Sequence, residues 1–298
     1  MIPSTFAYEM PHSAGEAVDL MRADPLRARL LSGGTWVVPE MNRGESRPGL
    51  VVDLRRAGLS EIRAEADRIV VGATCTYATI LKSTIVARQV PLLALMARAV
   101  TGGQQIHNQG TIGGSVCAAL PHSDAPAAVT ALAARAVIAG ADGERRIAAS
   151  AMFAGPGQTA LEPGEVLTAL EFPARTGFGH GYYKLKGFEG SWPIATAAAM
   201  VALDSDGRCS AVALAMGGVA ATPMSVDLTD VLGDRPDDDE VLARAGQRAA
   251  ETLDAPWSDI FASDDYRAAV APTVARRALK RAIDDARRAT ASHDGGPR

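Results

Sequence analysis

Cysteine is scarce in this chain. Its 298 residues hold three, Cys75, Cys117 and Cys209. An odd, widely spaced set builds no disulfide framework and suits a reducing compartment. It is also too small to ligate an iron–sulfur cluster, which takes about four thiolates. The five histidines are scattered, without metal-ligand spacing. An excess of basic charge is missing as well: the net charge is −4, which argues against a nucleic-acid partner. No apolar run reaches the ~18 residues of a membrane span. The first residues, MIPSTFAYEMPHS, lack a basic stretch followed by an apolar one, so no secretory leader is expected and the expected location is cytoplasmic. No internal repeat and no nucleophile–base pair stands out. Any redox chemistry here would have to be carried by an organic cofactor.

What the chain does have is glycine in the right places. The stretch Thr101 to Ala131 reads TGGQQIHNQGTIGGSVCAALPHSDAPAAVTA and carries two Gly pairs, Gly102–Gly103 and Gly113–Gly114. Thr111 and Ser115 flank the second pair. Glycines at this density let a backbone approach a ligand closely, and backbone N–H groups can bind phosphate without Lys or Arg. Asp124 is placed to cap a helix starting near Pro126. A second stretch, Leu31-Ser32-Gly33-Gly34-Thr35-Trp36, follows an expected strand. Two such turns, some eighty residues apart, could clamp the two ends of one long anion. Gly-rich turns followed by hydroxyls are also common as plain turns. The dinucleotide fingerprint with a third glycine is not present, and Asp53 does not restore it.

In chain order, a strand is expected at Thr5–Tyr8. Ser13 and Glu16 form a capping box for a helix over Ala14–Ala23. Strands follow at Ala28–Leu31 and Leu50–Leu54, with a helical turn at Val37–Asn42 between them. Glu61–Gly72 reads as a hairpin, Thr76 opens a helix, and Pro91–Val100 reads as a buried helix. Ala136–Ala139 is a strand with a return arm through Ile147. Glu165–Phe172 is a strand stopped at Pro173, and Pro173–Gly177 reads as a linker. Residues 180–220 read as a three-stranded meander, with strands at Tyr182–Lys186, Ala195–Leu203 and Ser210–Met216. Beyond Pro223 the pattern is helical, with Glu240–Glu251 one helix and Asp264–Arg288 another, broken near Pro272. Asp234–Glu240 is a solvated acidic loop, and Ala291–Arg298 is expected to be disordered.

SGGT at 32–35, VVDL at 51–54, VGATCTYATI at 71–80, HNQGTIGGSVCAALPHSDAPAA at 107–128 and YYKLK at 182–186 together resemble the FAD-binding medium subunit of molybdenum hydroxylases, of the xanthine dehydrogenase and carbon monoxide dehydrogenase type. The likeness runs from near residue 3 to about residue 285. It implies an α+β fold: a two-part FAD-binding domain of the PCMH/vanillyl-alcohol-oxidase-like type (1–175, subdomains about 1–56 and 57–175), then a C-terminal domain (176–290) of a three-stranded sheet with helices.

The resemblance also implies the site. Ser32, Gly33, Gly34, Thr35 and Trp36 match the family's first cofactor loop, and Thr111, Ile112, Gly113, Gly114 and Ser115 its second, both binding FAD through backbone amides. Asp124 matches an aspartate that accepts hydrogen bonds from FAD, and Leu167 an apolar contact. Lys184 and Trp192 fall where the family places a lysine near the flavin and an aromatic ring against the isoalloxazine. Trp192 also reads as a packed core residue, and Lys184 as a solvated strand residue. His107 stands where many relatives have an arginine and reads as structural; His122 is unassigned. The implied function is an oxidoreductase's electron-transfer subunit. It would take electrons from [2Fe–2S] clusters in a small partner, fed by a molybdenum cofactor in a large one, and pass them to an external acceptor. The expected assembly is a dimer of heterotrimers. A self-contained FAD oxidoreductase of the vanillyl-alcohol-oxidase type, or a flavin-free assembly module, stands as the alternative. Substrate and final acceptor are open.

Overall fold

The computed structural model describes residues 2–255 and 257–294. The chain begins with a small parallel sheet, β1 (Ala7–Glu9), β2 (Ala28–Leu31) and β3 (Leu50–Asp53), ordered β1-β3-β2. Helix α1 (Ala14–Ala23) joins β1 to β2 and is capped as its sequence demands: Ser13 Oγ accepts from Glu16 N at 3.2 Å. The Glu16 carboxylate reaches back to His12 N at 2.7 Å. Helix α2 (Val37–Arg43) follows β2. Leu31 sits in register with Asp53, so both strands end together. The first glycine loop therefore leaves at the carboxyl edge of the sheet, where open parallel sheets bind ligands. Asp53 ends β3 fully buried, accepting from the Tyr8 hydroxyl at 2.6 Å and from Arg55 N at 2.9 Å and Nε at 2.8 Å.

The hairpin β4 (Ile62–Ala64) and β5 (Arg68–Gly72) begins a second sheet. Six short helices follow: α3 (Tyr77–Lys82), α4 (Thr84–Gln89), α5 (Pro91–Ala99), α6 (Gly103–Gln109), α7 (Ile112–Ala118) and α8 (Ala125–Ala131). Next come β6 (Arg135–Gly140), β7 (Gly143–Ala148), the small ribbon β8 (Phe153–Gly155) with β9 (Gln158–Thr159), and β10 (Val166–Pro173). The five-stranded sheet runs β4-β5-β10-β6-β7. The glycine-rich stretch is thus more helical than its sequence suggests, since α6 and α7 each follow directly on a turn that its glycines or Thr111 can close.

The C-terminal sheet is β11 (Phe178–Lys186), β12 (Pro193–Leu203), β13 (Cys209–Gly217) and β14 (Met224–Val226), antiparallel in that order. The expected meander is there, and a fourth strand extends it: Met224–Val226, in a stretch expected to be helical, pairs with Leu214–Met216. Three residues carry too little alternation to announce a strand. Helices α9 (Thr229–Leu232), α10 (Asp239–Glu251) and α11 (Asp264–Asp294) complete the chain. Helix α11 is not broken at Pro272. Ala271, Val274, Ala275, Ala278 and Leu279 form a buried face on both sides of the proline, and that packing outweighs one missing hydrogen bond. The helix runs on through Asp294 into the stretch expected to be disordered; Gly295–Arg298 lie outside the described residues.

Strand β12 is rich in alanine because both of its faces are covered. Ala195, Ala197, Ala199 and Val201 join the core under α10 and α11, whereas Ala198 and Met200 join the core of the first domain. Small residues let both layers come close. In β11, a Cβ on Gly181 would overlap the carbonyl oxygen of Ala278 in α11, and one on Gly179 that of Ala282. Gly181→Ala should therefore push α11 off the sheet and cost roughly 3 kcal/mol, the upper range of core overpacking. Urea unfolding checks this, and an unchanged midpoint would refute the contact.

Candidate functional site

The two glycine stretches, one leaving the three-stranded sheet and one among the helices between β5 and β6, touch. Ser32 Oγ lies 3.0 Å from Thr111 Oγ1. Gly33 is seated so closely on the backbone of Gln109 that a Cβ there would overlap the Gln109 carbonyl oxygen. Gly34 adopts φ +71°, which suits glycine, and its carbonyl accepts from Val38 N as α2 begins. Among the described residues, the N–H groups of Gly33, Gly34 and Thr35 find no acceptor in the chain. Three adjacent unpaired donors form a receptor for an anion.

The second loop is built differently. Thr111 caps α7, accepting from Gly114 N at 3.2 Å. Ile112 N donates to Cys75 O, Gly113 N to Ala73 O and Ser115 N to Thr111 O, at 3.0, 2.9 and 3.0 Å. The amide donors expected to meet a ligand here are thus already engaged inside the chain, and the Thr111 and Ser115 hydroxyls also have partners there, Ser32 and Gly114 N for Thr111 and the Tyr77 hydroxyl for Ser115. Its two glycines have separate reasons. A Cβ on Gly113 would come within 2.6 Å of Ala73. A Cβ on Gly114 would meet only the capping Thr111 Oγ1, at 2.7 Å, with nothing else within 4 Å; that face of the loop is open.

A row of rings borders the loops. Trp192 is 40% exposed, so it is not a core residue. Its ring stands edge-on to Trp36 at 6.2 Å and to His122 at 5.3 Å, and His122 meets Phe261 at 5.1 Å. Behind the loops the arrangement is polar and dry. Asp124, at the start of α8, does not cap that helix with its side chain. Its carboxylate accepts from the Tyr182 hydroxyl at 2.7 Å and from Lys184 Nζ at 2.8 Å. Lys184 also donates to Ala99 O at 3.1 Å, and the side chains of the pair are each 6% exposed; Lys184 is not a solvated strand residue. Burial pushes the Asp124 carboxyl up, while Lys184 and Tyr182 pull it back toward ionisation. The Tyr77 hydroxyl lies 2.5 Å from Ser115 Oγ and feels the Asp124 charge, so the polar cluster stands behind the second loop.

Ser32–Trp36, Gly114, Ser115 and Trp192 are thus partly or fully exposed beside the contact between the loops, whereas Thr111, Ile112 and Gly113 are buried behind it. Asp124 and Lys184 join each other beneath it. Leu167 is core, in β10 opposite Ile138. His107 is structural, its Nε2 within 2.8 Å of Val100 O. Sequence reasoning passed over Tyr77 and Tyr182 as partners, although both lie inside the quoted VGATCTYATI and YYKLK stretches. It also passed over Arg267, whose spacing to Ala271, Val274, Ala275 and Ala278 puts an arginine on the buried face of α11.

Comparison with known proteins bears on the same surfaces. Residues 4–175 match the family profile described as the FAD binding domain in molybdopterin dehydrogenase. Residues 180–282 match that of the CO dehydrogenase flavoprotein C-terminal domain. The chain is 35% identical over 289 residues to the carbon monoxide dehydrogenase medium chain of Afipia carboxidovorans, covering 95% of this chain and 98% of that one. It is 31% identical to the glyceraldehyde dehydrogenase medium chain of Sulfolobus acidocaldarius, covering 94% and 99%. It superposes on a chain of reconstituted CO dehydrogenase from Oligotropha carboxidovorans with a TM-score of 0.90 at 34% identity, covering 96% and 100%.

Removing the anion of the buried pair isolates a cation. Asp124→Ala, which leaves Lys184 enclosed without its carboxylate, should destabilise the protein by ~3–5 kcal/mol. Urea unfolding near neutral pH measures it, and a cost below ~1 kcal/mol would mean the pair is solvated after all.

Proposed function

The chain belongs to the FAD-binding medium subunits of the molybdenum hydroxylases, and from that premise we propose how it holds its cofactor and what it serves. FAD lies across the two glycine loops. The free N–H groups of Gly33, Gly34 and Thr35, flanked by Ser32, take the pyrophosphate. Thr111 and Ser115 meet hydroxyls of the ribityl arm, while Gly114 forms the wall it lies on and Ile112 and Gly113 support that wall from within. The observation that supports this reading is the contact between loops, with the Ser32 and Thr111 hydroxyls 3.0 Å apart, near enough for one ligand to meet both.

Trp36 and Trp192 border the isoalloxazine, offering apolar area and excluding water from it. Asp124 and Lys184 back the site from beneath. Because the carboxylate offsets the ammonium at 2.8 Å, the pair gives rigidity with little net field. Leu167 backs α7 from the sheet. Bound FAD supplies a store for two electrons that arrive singly. The chain's own part is to hold the ring system, shield it and present one edge to a partner. We take residues 1–175 as the FAD-binding domain and 176–290 as the C-terminal domain.

The partners in this reading are a small subunit carrying [2Fe–2S] clusters and a large one carrying the molybdenum cofactor, assembled in the cytoplasm as a dimer of heterotrimers, with electrons leaving to an external acceptor. The medium-chain names of the relatives support the division of labour. Those relatives are named for carbon monoxide and for glyceraldehyde, so the substrate of the complex is set outside this chain.

Gly114→Val tests the loop assignment. The new side chain would fill the open face, so the folded variant should retain less than roughly a tenth of the parental FAD. Flavin absorbance per chain after gel filtration gives the answer, with circular dichroism as the check on folding. Parental FAD content in a folded Gly114→Val protein would overturn the assignment.

A further inference from the structure

Trp192 is held at its backbone from the first domain. Thr101 Oγ1 donates to Ser191 O at 3.2 Å, and Ser191 Oγ donates to Trp192 O at 3.2 Å. Pro193 follows as the first residue of β12. The indole itself has two ring neighbours, Trp36 and His122. They are unequal. Trp36 sits on the glycine loop, with no side-chain cap tying it to α2. The His122 side chain is only 14% exposed and is backed by Phe261.

His122 is also packed against a carboxylate. Its Nδ1 lies 3.3 Å from Asp259 Oδ2, without the alignment of a hydrogen bond. Asp259 is in turn immobilised. It accepts from Phe261 N at 2.8 Å, Ala262 N at 3.2 Å, Trp257 Nε1 at 3.1 Å and Arg267 Nη2 at 2.5 Å. Arg267 is fully buried and also donates to the carbonyl oxygens of Ile194, Gly218 and Ala262. Ile194 lies two residues from Trp192, so one guanidinium fixes both the strand that carries the indole and the loop that carries Asp259. Burial pushes the imidazole below its usual range; Asp259 opposes this and Arg267 adds to it. A neutral ring in a packed slot is a rigid stop.

We propose that His122 is the positioning residue of Trp192: wedged between Phe261 and the indole, and packed against the Asp259 carboxylate that Arg267 holds in place, it sets the angle at which Trp192 faces the two glycine loops. His122 belongs to residues 1–175 and Trp192 to 176–290, so the indole that the C-terminal domain supplies is set by a residue of the domain that carries the cofactor loops. This rests on the reading that Trp192 borders the isoalloxazine, and the test separates the two.

The probe is the emission of protein-bound FAD in the full chain, measured after gel filtration at equal FAD content, because an indole beside flavin quenches it. Trp192→Phe should raise emission several-fold. His122→Ala should raise it roughly threefold in the parent and leave it unchanged in the Trp192→Phe background, the pattern of two residues acting through one contact. His122→Phe, which restores an aromatic edge, should bring emission back toward the parent; His122→Asn carries the same test if the alanine variant does not fold. Parental emission in His122→Ala alongside a rise in Trp192→Phe would overturn the positioning role while leaving the placement of Trp192 intact. An equal rise in both backgrounds would also overturn it. No rise in Trp192→Phe would remove Trp192 from the flavin, and the positioning role with it.

Discussion

The site depends on one backbone contact, the approach of Gly33 to the carbonyl of Gln109. It admits no side chain. It joins a loop leaving a parallel sheet to a loop entering helix α7, elements that share no strand. Without it the unpaired amides of one loop and the hydroxyls of the other would face different regions of solvent. The two halves divide the chemistry. The first loop keeps its donors free, and the second uses its own to stay rigid. An anion receptor needs both, since donors that can relax toward each other lose the preorganisation that makes them useful.

Around this contact, buried charge does the joining. Asp124 belongs to the first domain and Tyr182 and Lys184 to the second, so the carboxylate ties the domains where the loops rest. Arg267 does the same within the second domain, collecting carbonyls from two segments of the sheet and the carboxylate of Asp259. Buried ion pairs are weak sources of net stability, because desolvation opposes their attraction. Their contribution here is to direction. An apolar contact tolerates sliding, whereas a carboxylate with two donors at fixed angles does not.

Much of this was legible in the chain. Periodicity, caps and turns placed α1, the parallel strands and the meander, because each signal is local, as in Ser13 with Glu16 and the β-branched run at Leu50–Asp53. The Gly-Gly loops were legible for the same reason. The continuity of α11 across Pro272 was not, because a proline's local cost is outweighed only by a partner surface far along the chain. The strand Met224–Val226 was not, because it exists by pairing with β13. The state of the loop-2 amides was hidden too, since their acceptors are Ala73 and Cys75, well upstream.

The sequence alone determined which residues could form close-approach loops, which stretches had helical or strand period, and which family motifs stand in order, since all of these are set by covalent neighbours and by residue type. Tertiary structure alone decided that the loops meet, that Trp192 stands exposed between Trp36 and His122, and that Asp124 spends its carboxylate on Tyr182 and Lys184. Distances between residues far apart in the chain are settled by which faces must leave water together, and no single segment holds that information.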